Sequence, residues 1–142
     1  MLVDIGGPWQ VLPPGIHDAG LAEVRKVFAT NIPRDFLFSG FASGFAALRA
    51  AGAKDVYLDG SFVTDKAVPG DFDCCWEITG VDPAKLDSVF LDFANMRAAQ
   101  KHKYGGEFFP CTFEAAPGEF FLSYFQKDKY AGQAKGILRI GS

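Results

Sequence analysis

Between Asp71 and Ile78 the chain reads Asp-Phe-Asp-Cys-Cys-Trp-Glu-Ile, nearly apolar on both faces once its two aspartates are passed. Side chains alternate across a strand, so a run that is apolar at odd and even positions belongs to a central strand covered on both sides. Pro69-Gly70 marks a turn before it. Lys54 to Asp59, with β-branched and aromatic residues, predicts a neighbouring short strand. A sheet with both faces covered needs helices to cover it, and the rest of the chain supplies them.

Asp18 is a candidate cap for a helix carrying Leu21, Val24, Val27 and Phe28 on one face. Pro33 opens a second helical region, in which Phe38, Phe41, Phe45 and Leu48 recur at helical spacing before Gly52. Asp82-Pro83 reads as an N-cap and first helical residue, predicting a helix through Leu86, Val89, Phe90, Phe93 and Met96 to about residue 101. Gly105-Gly106 breaks the pattern. Glu107 to Glu114 reads as a third strand, with Pro110 at an edge or bulge. A short helix within 117–125 and a last strand at Ile137 to Ile140 complete the reading. The segment up to Pro13-Pro14-Gly15 reads as extended and loop-like. The expected order is α, α, β, β, α, β, α, β: one small α/β (α+β) domain over 1–142, a mixed β-sheet flanked by helices.

At 142 residues with 49% apolar content and 15 phenylalanines, the chain can bury a core of its own. A net charge of −3 argues against generic, charge-driven DNA binding. No apolar run approaches the roughly 18 to 20 residues of a membrane span. Met1 to Gly7 lacks the basic and apolar regions of a signal peptide. Cys74, Cys75 and Cys111 suit reduced thiols, so a cytoplasmic location is expected. Without a C-x-x-C, and with His17 and His102 remote from the cysteines in sequence, a zinc site is not expected.

The chemistry-bearing pattern is Gly60-Ser61 at the end of one strand and Asp71-Phe72-Asp73 at the start of the next. Carboxylates at i and i+2 of a strand share a face, about 6 to 7 Å apart. That spacing suits two divalent cations about 3.5 to 4 Å apart. Gly60 and Ser61 are candidates to hold a phosphate through backbone amides and a hydroxyl, and Lys66 in the connection could reach one. Phe62 is a candidate base or ribose contact, or a core residue beneath the turn. Lys135 and Arg139 could contact phosphate or face solvent. Asp59 reads as structural or as a group that supports the site from behind its ligands.

Gly-Ser closing a strand, followed by Asp-x-Asp, resembles the signature of the polymerase-β-type nucleotidyltransferase superfamily, whose minimal members are small bacterial proteins. The motif spans Leu58 to Asp73. Val11 to Gly15 and Lys135 to Ile140 resemble segments of a poorly characterised bacterial group within it. The resemblance implies a carboxylate triad, with Asp71 and Asp73 matching its first two positions. The third falls on Glu107, with Glu114 the alternative. Members usually carry aspartate there. It also implies Mg²⁺ or Mn²⁺ held by Asp71, Asp73 and Glu107, and a nucleoside triphosphate, ATP expected, as substrate. A nucleoside monophosphate would pass to a protein or RNA hydroxyl, within a toxin–antitoxin pair in some members. The other expectation is a degenerate nucleotidyltransferase-fold interaction module, an antitoxin or other partner-binding protein without chemistry.

Overall fold

A computed structural model describes residues 2–130 and 132–141. Its elements are β1 (Gly15–Gly20), α1 (Leu21–Phe28), α2 (Ile32–Ala50), β2 (Val56–Asp59), β3 (Asp73–Trp76), α3 (Ala94–Tyr104), β4 (Glu107–Pro110), β5 (Glu114–Ala116), β6 (Glu119–Phe120), α4 (Phe121–Tyr124) and β7 (Gly136–Gly141). Five strands form one mixed sheet in the order β1-β7-β2-β3-β4, and β5 and β6 pair as a separate hairpin. The fold is therefore a mixed sheet flanked by helices, as the sequence predicts. The β3–β4 and β1–β7 pairs are parallel; β2 runs antiparallel to both β3 and β7.

Strand alternation divides the core in two. Val56, Leu58, Cys74, Trp76, Phe108, Leu138 and Ile140 pack with Val24 and Phe28 of α1, with Phe41, Phe45 and Leu48 of α2, and with Tyr104 of α3. The intervening positions Tyr57, Cys75, Phe109 and Ile137 meet Cys111 and Phe125 on the other side. β3 lies between two strands and is buried on both faces beyond Asp73, which explains its unbroken apolar run. β4 is an edge strand ending at Pro110, where a missing N–H costs no ladder bond.

Three expectations are corrected. Asp18 does not cap α1. It lies on β1, in register with Arg139 of β7, and Gly20 precedes the helix. Pairing between segments more than a hundred residues apart outweighs the local capping signal, which no sequence window contains. Asp82-Pro83 does not open a long helix. Asp82 accepts from Ala84 N, Asp87 from Val89 N and Asp92 from Ala94 N. Each short aspartate offers the backbone a local turn in competition with helical bonding. The outcome is a 3₁₀ turn at Ser88–Leu91, with α3 beginning only at Ala94. Glu107 to Glu114 is not one strand: β4 ends at Pro110 and Glu114 belongs to the β5–β6 hairpin.

Asn31 caps α2 by accepting from Arg34 N at 2.9 Å, and Pro33 occupies its first turn. Arg34 itself is buried among apolar neighbours and donates to the carbonyls of Phe28, Phe62 and Thr64 at 3.1, 2.8 and 2.7 Å, and to Lys66 O. One guanidinium thereby fixes the loop that follows Gly60.

Candidate functional site

Register sets the site. Asp59 pairs with Asp73 across β2–β3, and Asp73 pairs with Glu107 across β3–β4. In-register residues share a face, so three carboxylates stand in a row on the side opposite α1 and α2. Asp71 lies two residues before Asp73, just outside the strand that the sequence begins at Asp71. Phe72 points the other way, into the core against Phe41 and Phe108. Asp71, Asp73 and Glu107 each offer an oxygen within 4.8 Å of the others, and all three are partly buried. Glu114, in its hairpin, is not part of the group.

Gly60 makes this closeness possible. Its φ of 88° and ψ of −173° lie in a region restricted to glycine, and a Cβ there would stand 2.7 Å from Asp73 N. The glycine lets the end of β2 pass against the start of β3. Ser61 follows in a 3₁₀ turn, and its hydroxyl donates to the Asp71 carbonyl at 3.3 Å. The Gly60-Ser61 turn and the Asp71 loop are thus in direct contact. Phe62 is buried beneath the turn, against Phe28, and offers no exposed face for a base. Lys66 is not brought to the carboxylates: its Nζ sits 4.9 Å from the centroid of the Trp9 ring.

The charge balance is one-sided. Burial, then the charges of Asp71, Asp59 and Glu107, push Asp73 up to about 8. Asp71 is raised as well, by burial and then by Glu107. Asp59 is raised to about 6 by burial, against the pull of Lys135. Lys135 Nζ donates to Asp59 Oδ1 and, at 2.7 Å, to Phe125 O, with side-chain exposures of 12% for the lysine and 5% for the aspartate. Arg139 is held by Asp18 at 2.6 and 3.0 Å. Both residues considered for phosphate at the end of the chain therefore have carboxylate partners.

Glu107 meets two cations. Arg97 Nε donates to Oε2 at 2.6 Å, and Lys101 Nζ lies 3.7 Å from Oε1. Arg97 also stands over the Phe109 ring. It ends a run of three residues, Asn95, Met96 and Arg97, with φ of 51, 56 and 62°. Among the described residues these are the non-glycine positions with positive φ. Left-handed conformation costs about 1–2 kcal/mol per residue for a side chain with a Cβ. Gln100, fully buried on α3, accepts from Phe108 N at 2.7 Å and donates to Val89 O at 3.1 Å, which fixes the start of β4 beside Glu107.

A cavity of about 870 Å³ opens beside the acidic group. Its walls include Ile32, Phe36, Pro69, Gly70, Asp71 and Lys101. Ile32 and Phe36 are 87% and 75% exposed at the start of α2. Asp71 therefore belongs both to the carboxylate group and to an open, largely apolar cleft.

A family model matches residues 8–141, the family of unknown function (DUF6932). The chain belongs to this family. The match takes in Gly60, Ser61, Asp71, Asp73, Glu107 and Arg97 alike. No curated protein and no solved structure matches the chain. Among the described residues, no helix is long and apolar enough to cross a membrane.

The sequence pattern singled out Asp71, Asp73, Glu107, Gly60 and Ser61, which lie together. Arg34, Gln100 and Arg97 it did not single out. Arg34 carried a readable signal: it sits three, four and seven residues before Leu37, Phe38 and Phe41 on the buried stripe of α2. Gln100 likewise lies four residues before buried Tyr104. Arg97 carried none, because neither Met96 nor Arg97 is a residue type that announces a left-handed turn.

Proposed function

We propose that this chain is a metal-dependent nucleotidyltransferase. The observation that supports the reading most directly is the convergence of Asp71, Asp73 and Glu107 beside the Gly60-Ser61 turn. Resemblance to the polymerase-β-type superfamily supplies the reaction class. The donor set fits Mg²⁺ or Mn²⁺: hard carboxylate oxygens, crowded enough to raise Asp71 and Asp73 when no cation balances them. Bound Mg²⁺ or Mn²⁺ supplies positive charge that polarises phosphate oxygens.

The chain's own residues account for the rest. Asp71, Asp73 and Glu107 hold the cation side of the substrate. The Gly60-Ser61 turn offers a hydroxyl and a glycine-only backbone to a phosphate. The cleft beside Asp71 leaves room for the nucleoside or the acceptor, with Lys101 on its rim. In the reaction, an acceptor hydroxyl oxygen bonds to the α-phosphorus of a nucleoside triphosphate. The bond from that phosphorus to the β-bridging oxygen breaks, pyrophosphate leaves, and the hydroxyl proton goes to solvent. A protein or RNA hydroxyl, including one on a toxin–antitoxin partner, is the proposed acceptor, and ATP the proposed donor.

One observation favours the second reading, a binding module without chemistry. Glu107 is already paired with Arg97 and Lys101, which balance its charge without a metal ion. Calorimetric titration of ATP with and without Mn²⁺ separates the two readings. The enzyme reading expects Mn²⁺-dependent ATP binding that Asp73→Asn abolishes. Absence of ATP binding, or binding indifferent to Mn²⁺ and to Asp73, supports the module.

A further inference from the structure

The left-handed run at Asn95–Arg97 stands immediately before the right-handed body of α3 and delivers Arg97 to Glu107. Nothing in the residue types favours this conformation beyond Asn95, and Met96 is 71% exposed, so core packing of its side chain does not hold it. Arg97 N donates to Phe93 O at 3.3 Å, and the side-chain contacts that offset the strain are the Arg97–Glu107 ion pair and the stacking of Arg97 on Phe109. As it stands, three residues are left-handed and Arg97 caps Glu107. Turning the same residues right-handed would relieve the strain, lengthen α3 by almost a turn at its start and release Glu107.

We propose that this turn is a latch: Arg97 occupies Glu107 while the carboxylate group is without a divalent cation, and cation binding releases it and lets the turn relax. Arg97 is then a positioning residue acting through Glu107, and the strain in Asn95–Arg97 sets how readily the site accepts its cation. The inference rests on reading Asp71, Asp73 and Glu107 as a cation site. It goes further by assigning a conformational change to a segment that no motif marks.

The test exploits Met96, whose exposed side chain makes no core contact. Met96→Gly and Met96→Ala remove the same exposed side chain, yet glycine accepts left-handed φ freely and alanine does not. Mn²⁺ affinity of the full chain is measured by calorimetry or by electron paramagnetic resonance of free Mn²⁺. Met96→Gly, which favours the latched turn, is expected to bind Mn²⁺ at least about fivefold more weakly than Met96→Ala. Arg97→Gln is expected to bind more tightly than wild type, and Mn²⁺ is expected to raise far-ultraviolet helicity in Met96→Ala more than in Met96→Gly. The difference between the two Met96 variants should vanish in an Arg97→Gln background, where the turn no longer reaches Glu107. Equal affinities for the two Met96 variants, or the reverse order, overturn the latch while leaving the cation site standing if Asp73→Asn still abolishes binding. Absence of Mn²⁺ binding in wild type and in Arg97→Gln overturns the cation site and the latch together.

Discussion

Asp73 and Glu107 are direct register partners on adjacent parallel strands, β3 and β4. Two acidic side chains at one rung of a ladder repel, and a sheet of this kind gains nothing structural from the pairing. Asp59 occupies the same rung on the other side of Asp73. Asp59 is paired with Lys135, and Glu107 with Arg97 and Lys101. The imbalance falls on Asp73, and its consequences are measurable.

The first is a pH dependence. In an unfolded chain an aspartate loses its proton at about pH 4. In the folded protein Asp73 keeps it up to about 8. Between those limits the native state binds more protons than the unfolded state, so stability falls as pH rises. The contribution is fully present below about pH 4 and is lost once pH passes about 8. Asp59 acts in the same direction, up to about pH 6. Thermal melting in EDTA should show Tm falling from pH 5 to 8, with a shallower fall in Asp73→Asn. Mn²⁺ should restore stability at pH 8, because a cation favours the ionised carboxylate. A Tm that is flat across this range in wild type would contradict the account.

Lys135 supports the acidic row through its ion pair with Asp59. Replacing it with methionine leaves Asp59 buried beside Asp73 without a counter-charge. Breaking a buried ion pair on one side costs roughly 3 kcal/mol or more. Urea unfolding at pH 8 should register that loss for Lys135→Met, and Lys135→Met/Asp59→Asn should recover most of it. A double variant no better than the single would show that Lys135 acts through its bond to Phe125 O instead.

Gly60→Ala places a methyl 2.7 Å from Asp73 N at a backbone conformation closed to alanine. A loss of about 2 kcal/mol is expected from the conformation alone. Because the strained contact is with Asp73 itself, Mn²⁺ affinity should fall with stability. Unchanged Mn²⁺ affinity in a folded Gly60→Ala protein would separate the glycine from the site.

Arg34 holds the loop after Gly60 through several carbonyls at once. Arg34→Met strands buried acceptors on Phe28, Phe62 and Thr64, and a loss of roughly 3 kcal/mol is expected. Arg34→Lys should recover only part, because a single ammonium cannot reach carbonyls spread around a planar guanidinium. Chemical denaturation of both variants checks this, and equal stability of Arg34→Lys and wild type would contradict it.

Much of the architecture was legible because the strands that matter are dense in local signal. Cys74 to Trp76 is apolar on both faces, Pro69-Gly70 turns the chain before it, and the phenylalanines of α2 repeat at helical spacing. The position of Glu107 followed from the break at Gly105-Gly106; a Cβ at Gly106 would stand 2.6 Å from the Phe72 ring. What was illegible depended on distant partners. Asp18 has a capping residue's type, but its place is decided by Arg139. Asp82, Asp87 and Asp92 each look like a helix start, but the first two close local turns, a 3₁₀ turn packs Phe90 on Tyr104, and the helix waits until Ala94. Arg97 reaches Glu107 through a turn that its own residue types disfavour.

The central claim is transfer, and labelled product tests it most directly. The purified chain is incubated with α-labelled ATP, Mg²⁺ or Mn²⁺, and a lysate supplying protein and RNA acceptors. The account predicts covalent label on a macromolecule, released pyrophosphate, and loss of both in EDTA and in Asp71→Asn, Asp73→Asn and Glu107→Gln. No label from wild type, or equal label from Asp73→Asn, would contradict it.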